Sequence, residues 1–171
     1  MTSTDGFELL HWLPRLRRYA RALTGSAEAA DDLVQDTLER AWSRSSLWPQ
    51  VADMRAWLFS LMHNLYVDGV RRRRDHIVST MDELPDAAIP AAQGDRIAVA
   101  EMDVALAMLP AEQREVLLLV ALEDMPYAEV AQTLGVPIGT VMSRLSRGRE
   151  RLRALMEKRS EPATRLKVVS K

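Results

Sequence analysis

The side chains best suited to chemistry in this sequence are arginines. Arg71, Arg72, Arg73 and Arg74 are consecutive, and Arg144, Arg147, Arg149, Arg151 and Arg153 crowd one later segment. Guanidinium groups fork onto phosphates and guanine edges, so the chemistry they offer is recognition of a polyanion. Acids form the counterpart, between Glu28 and Glu39 and again between Asp82 and Asp103. The net charge of −1 hides this segregation. Local basic and acidic stripes suit contact with DNA and with a basic protein partner, although a single stripe is also what a solvated helix face looks like. Catalytic sets are not seen. The chain has no cysteine, which removes disulfides, thiolate zinc sites and cysteine nucleophiles. His11, His63 and His76 lack metal-ligand spacing. With no nucleophile–base set and no phosphate loop, no enzyme activity, cofactor or metal is expected.

Helices must hold these stripes. Apolar residues recur at three and four with few period-two stretches, which predicts an all-α fold. The expected architecture is two small helical domains joined by a flexible linker, the C-terminal one carrying a helix-turn-helix. A first helix is expected over about 7–23, with Pro14 either kinking it or starting its main segment. Gly25 and Ser26 can stop it and cap a second helix to about Arg44. Ser45 to Ala52 reads as a loop, and Asp53 as the N-cap of a third helix reaching the arginine run. Residues 76–94, with Pro85, Pro90 and Gly94, read as the linker. Helices then follow to Leu109, from Pro110 to about Asp124, from Pro126 to Leu134, and from Ile138 to about Lys158, with a frayed tail. The longest apolar run, Val116 to Leu122, is too short to span a bilayer. No basic stretch leads into an apolar N-terminal core, so a cytoplasmic protein is expected.

On the second helix, Glu28, Asp32, Gln35 and Glu39 share one narrow stripe at 100° per residue, flanked by Asp31 and Asp36. Ala30, Leu33, Val34, Thr37 and Ala41 fall opposite. Like charges so close repel, and a docking surface for a basic partner is the preferred reading over a solvated face. In the third helix, Trp57, Leu58, Leu61 and Leu65 make an inward stripe, while Ser60, Asn64 and Arg71 lie on another face with His63 and Asp68 beside it. Trp48, Trp57, Phe59 and Tyr66 place aromatic surface near cations, the combination that grips single-stranded DNA, although each ring alone could equally be core.

The most specific signal is Pro126-Tyr-Ala-Glu-Val-Ala-Gln-Thr-Leu-Gly-Val-Pro-Ile-Gly-Thr-Val-Met-Ser-Arg-Leu145. It reads as a helix-turn-helix. Val130 and Leu134 pack from the first helix, Gly135 allows the turn and Val136 plugs it. Val141, Leu145, Gly148 and Leu152 form the buried stripe of the second helix. Thr140, Ser143, Arg144, Arg147 and Arg151 are left outside, and these residue types bond phosphates and base edges in a major groove.

Together these segments resemble the extracytoplasmic-function (ECF) sigma factors of bacterial RNA polymerase. Asp31-Asp-Leu-Val-Gln-Asp-Thr-Leu-Glu-Arg-Ala-Trp42 looks like their polymerase-binding helix, and Arg55 to Arg74 like their promoter-melting and minus-ten region. Leu109-Pro-Ala-Glu-Gln-Arg-Glu-Val-Leu-Leu-Leu119, with the helix-turn-helix through Arg153, is similar to their minus-thirty-five domain. The resemblance implies a region 2 domain over 1–75, a linker over 76–94, a region 4 domain over 95–158 and a tail over 159–171. It implies core RNA polymerase, promoter DNA and an anti-sigma protein as partners. Polymerase would be met by Asp31, Asp32, Gln35, Asp36 and Glu39. The minus-ten element would be met by Trp48, Ser60, Asn64, Arg71, Arg72, Arg73 and Arg74, with the loop from about Ser45 to Asp53 holding a flipped base. The minus-thirty-five element would be met by Thr140, Ser143, Arg144, Arg147 and Arg151. The chain departs from the family at Leu47-Trp-Pro-Gln50, where relatives carry a Phe-Arg-Gly-Asp-like stretch. The alternative is a helix-turn-helix repressor or activator acting without polymerase; it would have no need of the acidic stripe or of the Trp57-to-Arg74 helix.

Overall fold

The structure, a computed structural model, describes residues 3–79 and 95–160. Helices α1 (Ser3–Thr24), α2 (Ala27–Trp42) and α3 (Met54–Ser79) form the first half, with a 3-10 turn over Ser45–Gln50 between α2 and α3. Helices α4 (Asp95–Ala107), α5 (Ala111–Glu123), α6 (Tyr127–Leu134) and α7 (Ile138–Ser160) form the second. Among the described residues there is no strand and no helix long and apolar enough to cross a membrane.

Local chemistry sets most boundaries. Gly25 ends α1 with φ at 70°, in the left-handed region where a Cβ would be strained. Ser26 then caps α2, its Oγ accepting from the Ala29 N–H at 3.3 Å. Asp53 starts α3 as expected, Oδ1 accepting from the Ala56 N–H at 3.1 Å. Two boundaries differ from expectation. Helix α1 begins at Ser3, so Pro14 lies well inside it. Helix α3 runs past the arginines to Ser79. The expected linker otherwise falls on residues 80–94, outside the described residues.

The first half is a three-helix unit. Leu16, Tyr19 and Leu23 of α1 meet Ala30, Val34, Thr37 and Ala41 of α2 and Leu58, Phe59 and Met62 of α3, all buried. Tyr19 and Phe59 meet edge-to-face at 5.0 Å, a favoured aromatic geometry. In the second half Val116 and Leu119 of α5, Val130 of α6, and Val141 and Leu145 of α7 are buried and belong to the same continuous apolar cluster.

The halves are not separate bodies. Helix α1 packs against α4 and α5, and α3 packs against α6. The cause is visible in α5, where Arg114, Glu115, Val116, Leu117, Leu118 and Leu119 are buried in unbroken succession. A helix buried all round must be covered on two sides. One side of α5 is covered by α7 and the other by α1.

Candidate polymerase and nucleic-acid interfaces

The acidic face of α2 stands clear of the rest of the fold. Asp31, Asp32, Gln35, Asp36 and Glu39 are exposed, and the predicted apolar side, with Ala30, Leu33, Val34, Thr37 and Ala41, is buried. Thr37 satisfies its buried hydroxyl by donating to the Leu33 carbonyl at 2.7 Å. On the outer face, Gln35 Nε2 donates to Glu39 Oε1 at 2.9 Å, and Arg17 reaches Asp31 only at 4.0 Å. No cation pairs with Asp32 or Asp36 among the described residues. Among the described residues the repulsion along this face is left uncompensated.

On α3, Asn64, Arg71, Arg72 and Arg73 are exposed and Ser60 is half-buried. Arg72 Nε donates to the Asp68 carbonyl at 3.3 Å. The side chain of Arg74 lies outside the described residues. Phe59 and Tyr66 are core, and Trp57 is partly covered. Burial pushes the Tyr66 hydroxyl pKa up from its ordinary value, Glu115 adding to the rise and Arg114 opposing it.

Trp48 requires a correction. Its ring is buried and its Nε1 donates to the Ala41 carbonyl at 3.1 Å. An indole held in this way plugs the 3-10 turn onto the end of α2; in this conformation it offers no face to a base. The neighbouring Trp42 and Leu47 are the exposed apolar side chains here. Trp42 packs edge-to-face on Trp48 at 5.9 Å and is 47% exposed, and Leu47 is 45% exposed. The expected second helix already contains Trp42, but its period does not show that Trp48 takes the buried place beside it.

The helix-turn-helix is built as its sequence dictates. Gly135 adopts φ 63°, and the Val136 N–H returns to the Ala131 carbonyl at 3.0 Å. Gly148 is needed for close packing: a Cβ there would meet both the Cβ and the carbonyl oxygen of Gln113 at 3.4 Å. On α7, Arg147 and Arg151 are exposed, and Thr140 and Ser143 are half-buried. Ser143 Oγ donates to the Thr140 carbonyl at 3.1 Å. Arg144 is engaged, its Nη2 lying 2.9 Å from Glu112 Oε2.

A third charged assembly joins the halves and was not foreseen. Glu123, fully buried, receives Arg15 at 2.8 Å and Arg18 at 3.2 Å. Arg55 donates to the Glu123 carbonyl at 3.2 Å and to Glu129 Oε1 at 2.6 Å. His63 meets Glu115 at 2.5 Å. Arg114 donates to the carbonyls of Leu23, Ala107 and Leu109 at 2.6, 2.8 and 2.9 Å. Its own burial draws the Arg114 pKa down. The available signal was Arg114, Glu115 and Glu123 bracketing the apolar run of α5, where charge is costly unless paired.

Comparison with known proteins agrees with this layout. Residues 9–63 match the sequence family described as the Sigma2 domain of PhyR, and residues 100–152 match Sigma-70, region 4. The chain is 34% identical over 165 residues to the ECF RNA polymerase sigma factor EcfG of Rhodopseudomonas palustris, covering 91% of this chain and 88% of that protein. It is 39% identical over 137 residues to the ECF RNA polymerase sigma factor SigL of Mycobacterium tuberculosis, covering 76% of each. The structure is similar to that of the sigma factor RpoE in complex with the anti-sigma factor NepR from Bartonella quintana, with TM-score 0.82, 34% identity, and 91% and 98% of the two chains covered. It is also similar to CnrH in complex with the cytosolic domain of CnrY, with TM-score 0.68, 29% identity, and 91% and 89% covered. Two sigma regions in the right order, a relative matched along nearly its whole length and a shared fold place this chain in the family of ECF RNA polymerase sigma factors.

Proposed function

We propose that the chain binds core RNA polymerase and directs promoter-specific initiation of transcription in the cytoplasm, polymerase supplying the catalysis. Residues 1–75 act as region 2 and 95–158 as region 4, joined through 76–94. Asp31, Asp32, Gln35, Asp36 and Glu39 of α2 dock on a basic surface of polymerase. Ser60, Asn64 and Arg71 to Arg74 of α3, with exposed Trp42 and Leu47 near the end of α2, meet the minus-ten strand. Thr140, Ser143, Arg144, Arg147 and Arg151 of α7 meet the minus-thirty-five duplex. An anti-sigma protein restrains the chain, as the complexes of its structural relatives suggest.

The observation that carries this reading is the exposed acidic face of α2, with Asp32 and Asp36 unpaired among the described residues, on the same chain as the arginine-bearing helix α7. A DNA-binding repressor has no use for the first. The test is co-elution of the purified chain with core polymerase and production of a defined transcript. Tight, sequence-specific binding of promoter duplex by the free chain, with no retention on polymerase, would favour the repressor alternative.

A further inference from the structure

We propose, resting on the sigma-factor reading above, that Met142 is a further specificity-determining residue of α7. Its side chain, backed by Ile138, packs on the 5-methyl group of a thymine in the minus-thirty-five duplex. The chain thereby selects thymine at one position by apolar contact rather than by hydrogen bonds.

The observation is an apolar patch on a helix whose outer surface is otherwise polar. Ile138 and Met142 are 49% and 54% exposed, although α7 has a buried stripe, with Val141 and Leu145, to receive apolar side chains. They open α7 at a spacing of four, so they stand one above the other on one flank. At 100° per residue the same flank continues through Arg149 and Arg153, both exposed. It is therefore apolar over the first two turns and cationic farther on. Arg149 and Arg153 lie about 10 and 16 Å beyond Met142 along the helix axis, at a rise of about 1.5 Å per residue.

This division suits a helix that enters DNA by one end. A helix-turn-helix places the N-terminal residues of its second helix against the base edges of the major groove, which is about 12 Å wide. Ile138 and Met142 then stand at the bases, and Arg149 and Arg153 reach phosphates at the rim. On the base edges the groove presents donors, acceptors and one kind of apolar group, the thymine 5-methyl. Against a donor or acceptor an apolar side chain only displaces water. Against the methyl it gains by hydrophobic burial. Met142 also has room to adjust, since it borders an open groove with Tyr127 of α6 and Ser146 of α7, and an unbranched thioether adapts to the surface it meets. Arg147, Arg149, Arg151 and Arg153 crowd the same helix, and that charge favours duplex DNA over an apolar protein as the occupant.

The contact can be tested by removing the methyl from the DNA. The full-length chain, assembled with core polymerase, selects upstream duplexes from a random pool, and each thymine of the selected duplex is replaced in turn by uracil. Uracil keeps every hydrogen-bonding group and lacks only the methyl. Affinity should fall about fourfold at one position, the effect of one buried methyl group. Met142→Ala should bind the thymine duplex more weakly and show no thymine–uracil difference at that position. Met142→Leu should keep the difference, because the swap conserves apolar volume. Position 142 is half exposed, so both variants should match the parent in helix content and denaturant stability. A selected duplex without thymine in either strand, or indifference to uracil at every thymine, overturns the contact. So does a difference that survives in Met142→Ala, or one that is lost only in Ile138→Ala. Polymerase-bound chain that selects no duplex would instead overturn the sigma-factor reading. The same selection and uracil replacement with the free chain would then decide the methyl contact, and a free chain that also selects nothing overturns it.

Discussion

Glu112 Oε2 of α5 holds Arg144 Nη2 of α7 at 2.9 Å, so the arginine proposed to read a base is already paired within its own half of the chain. The carboxylate is mostly exposed, and such a pair contributes about 0–1 kcal/mol. Duplex can therefore displace it. Glu112→Gln should raise affinity for upstream promoter duplex up to about fivefold, by releasing Arg144 and removing a negative charge near the phosphates. Arg144→Ala should lose about 1–3 kcal/mol of discrimination at one base position. Fluorescence anisotropy with matched and mismatched duplexes would check both; equal binding by Glu112→Gln and parent would show that the pair does not compete with DNA.

Arg147 and Arg151 are exposed on α7 without an acidic partner among the described residues. Each is expected to contact phosphate. Alanine at either position should weaken all duplexes alike and lower the slope of log affinity against log salt by about one. A change in sequence preference with an unchanged slope would assign them to base edges instead.

Asp32 is exposed on the outer face of α2, with no cation paired to it among the described residues. Asp32→Arg should leave helix content unchanged, since the position touches no core. It should weaken binding to core polymerase. Surface binding to immobilised polymerase, with circular dichroism as the control, would detect it; unaltered affinity would move the docking surface elsewhere.

Trp42 and Trp48 should separate cleanly by substitution. Trp48 is buried and bonded to the Ala41 carbonyl, so Trp48→Ala should cost about 3–5 kcal/mol of stability. Trp42 is half exposed. Trp42→Ala should change denaturant stability little and reduce binding of polymerase-bound protein to a single-stranded minus-ten oligonucleotide by about 1–3 kcal/mol if a base stacks there. The reverse pattern would restore Trp48 as the base-facing ring.

Tyr19 sets a limit at alkaline pH. Burial raises its pKa well above 10.0, with the charges of Glu115, Tyr66 and Glu123 adding to the rise. The folded state thus keeps the phenol proton where the unfolded chain has released it. This contribution to stability is complete below the unfolded value near 10 and is lost as pH climbs from there toward the folded value. Unfolding by urea followed from pH 8 to 11 should show stability falling above about pH 10, with the fall reduced in Tyr19→Phe. An identical fall in Tyr19→Phe would place the alkaline limit on another group.

The sequence determined this protein's local elements and the outward faces of its helices. Ser26, Gly25, Asp53 and Gly135 act through their own backbone and nearest neighbours, so capping and turn chemistry could be read directly. The acidic stripe of α2 and the buried stripe of α7 follow from helical period alone. Tertiary structure decided three things. Trp48 is core, because its indole found a carbonyl on the preceding helix. Arg144 is paired, because α5 lies alongside α7. The halves are joined, because Arg15 and Glu123, 108 residues apart, meet in space. Side-chain period tells which face of a helix is apolar; it does not tell which distant helix will cover a charge. For α5, where Val116 to Leu122 are apolar without a break, the period carried no direction, and only the packing of α1 against it revealed why.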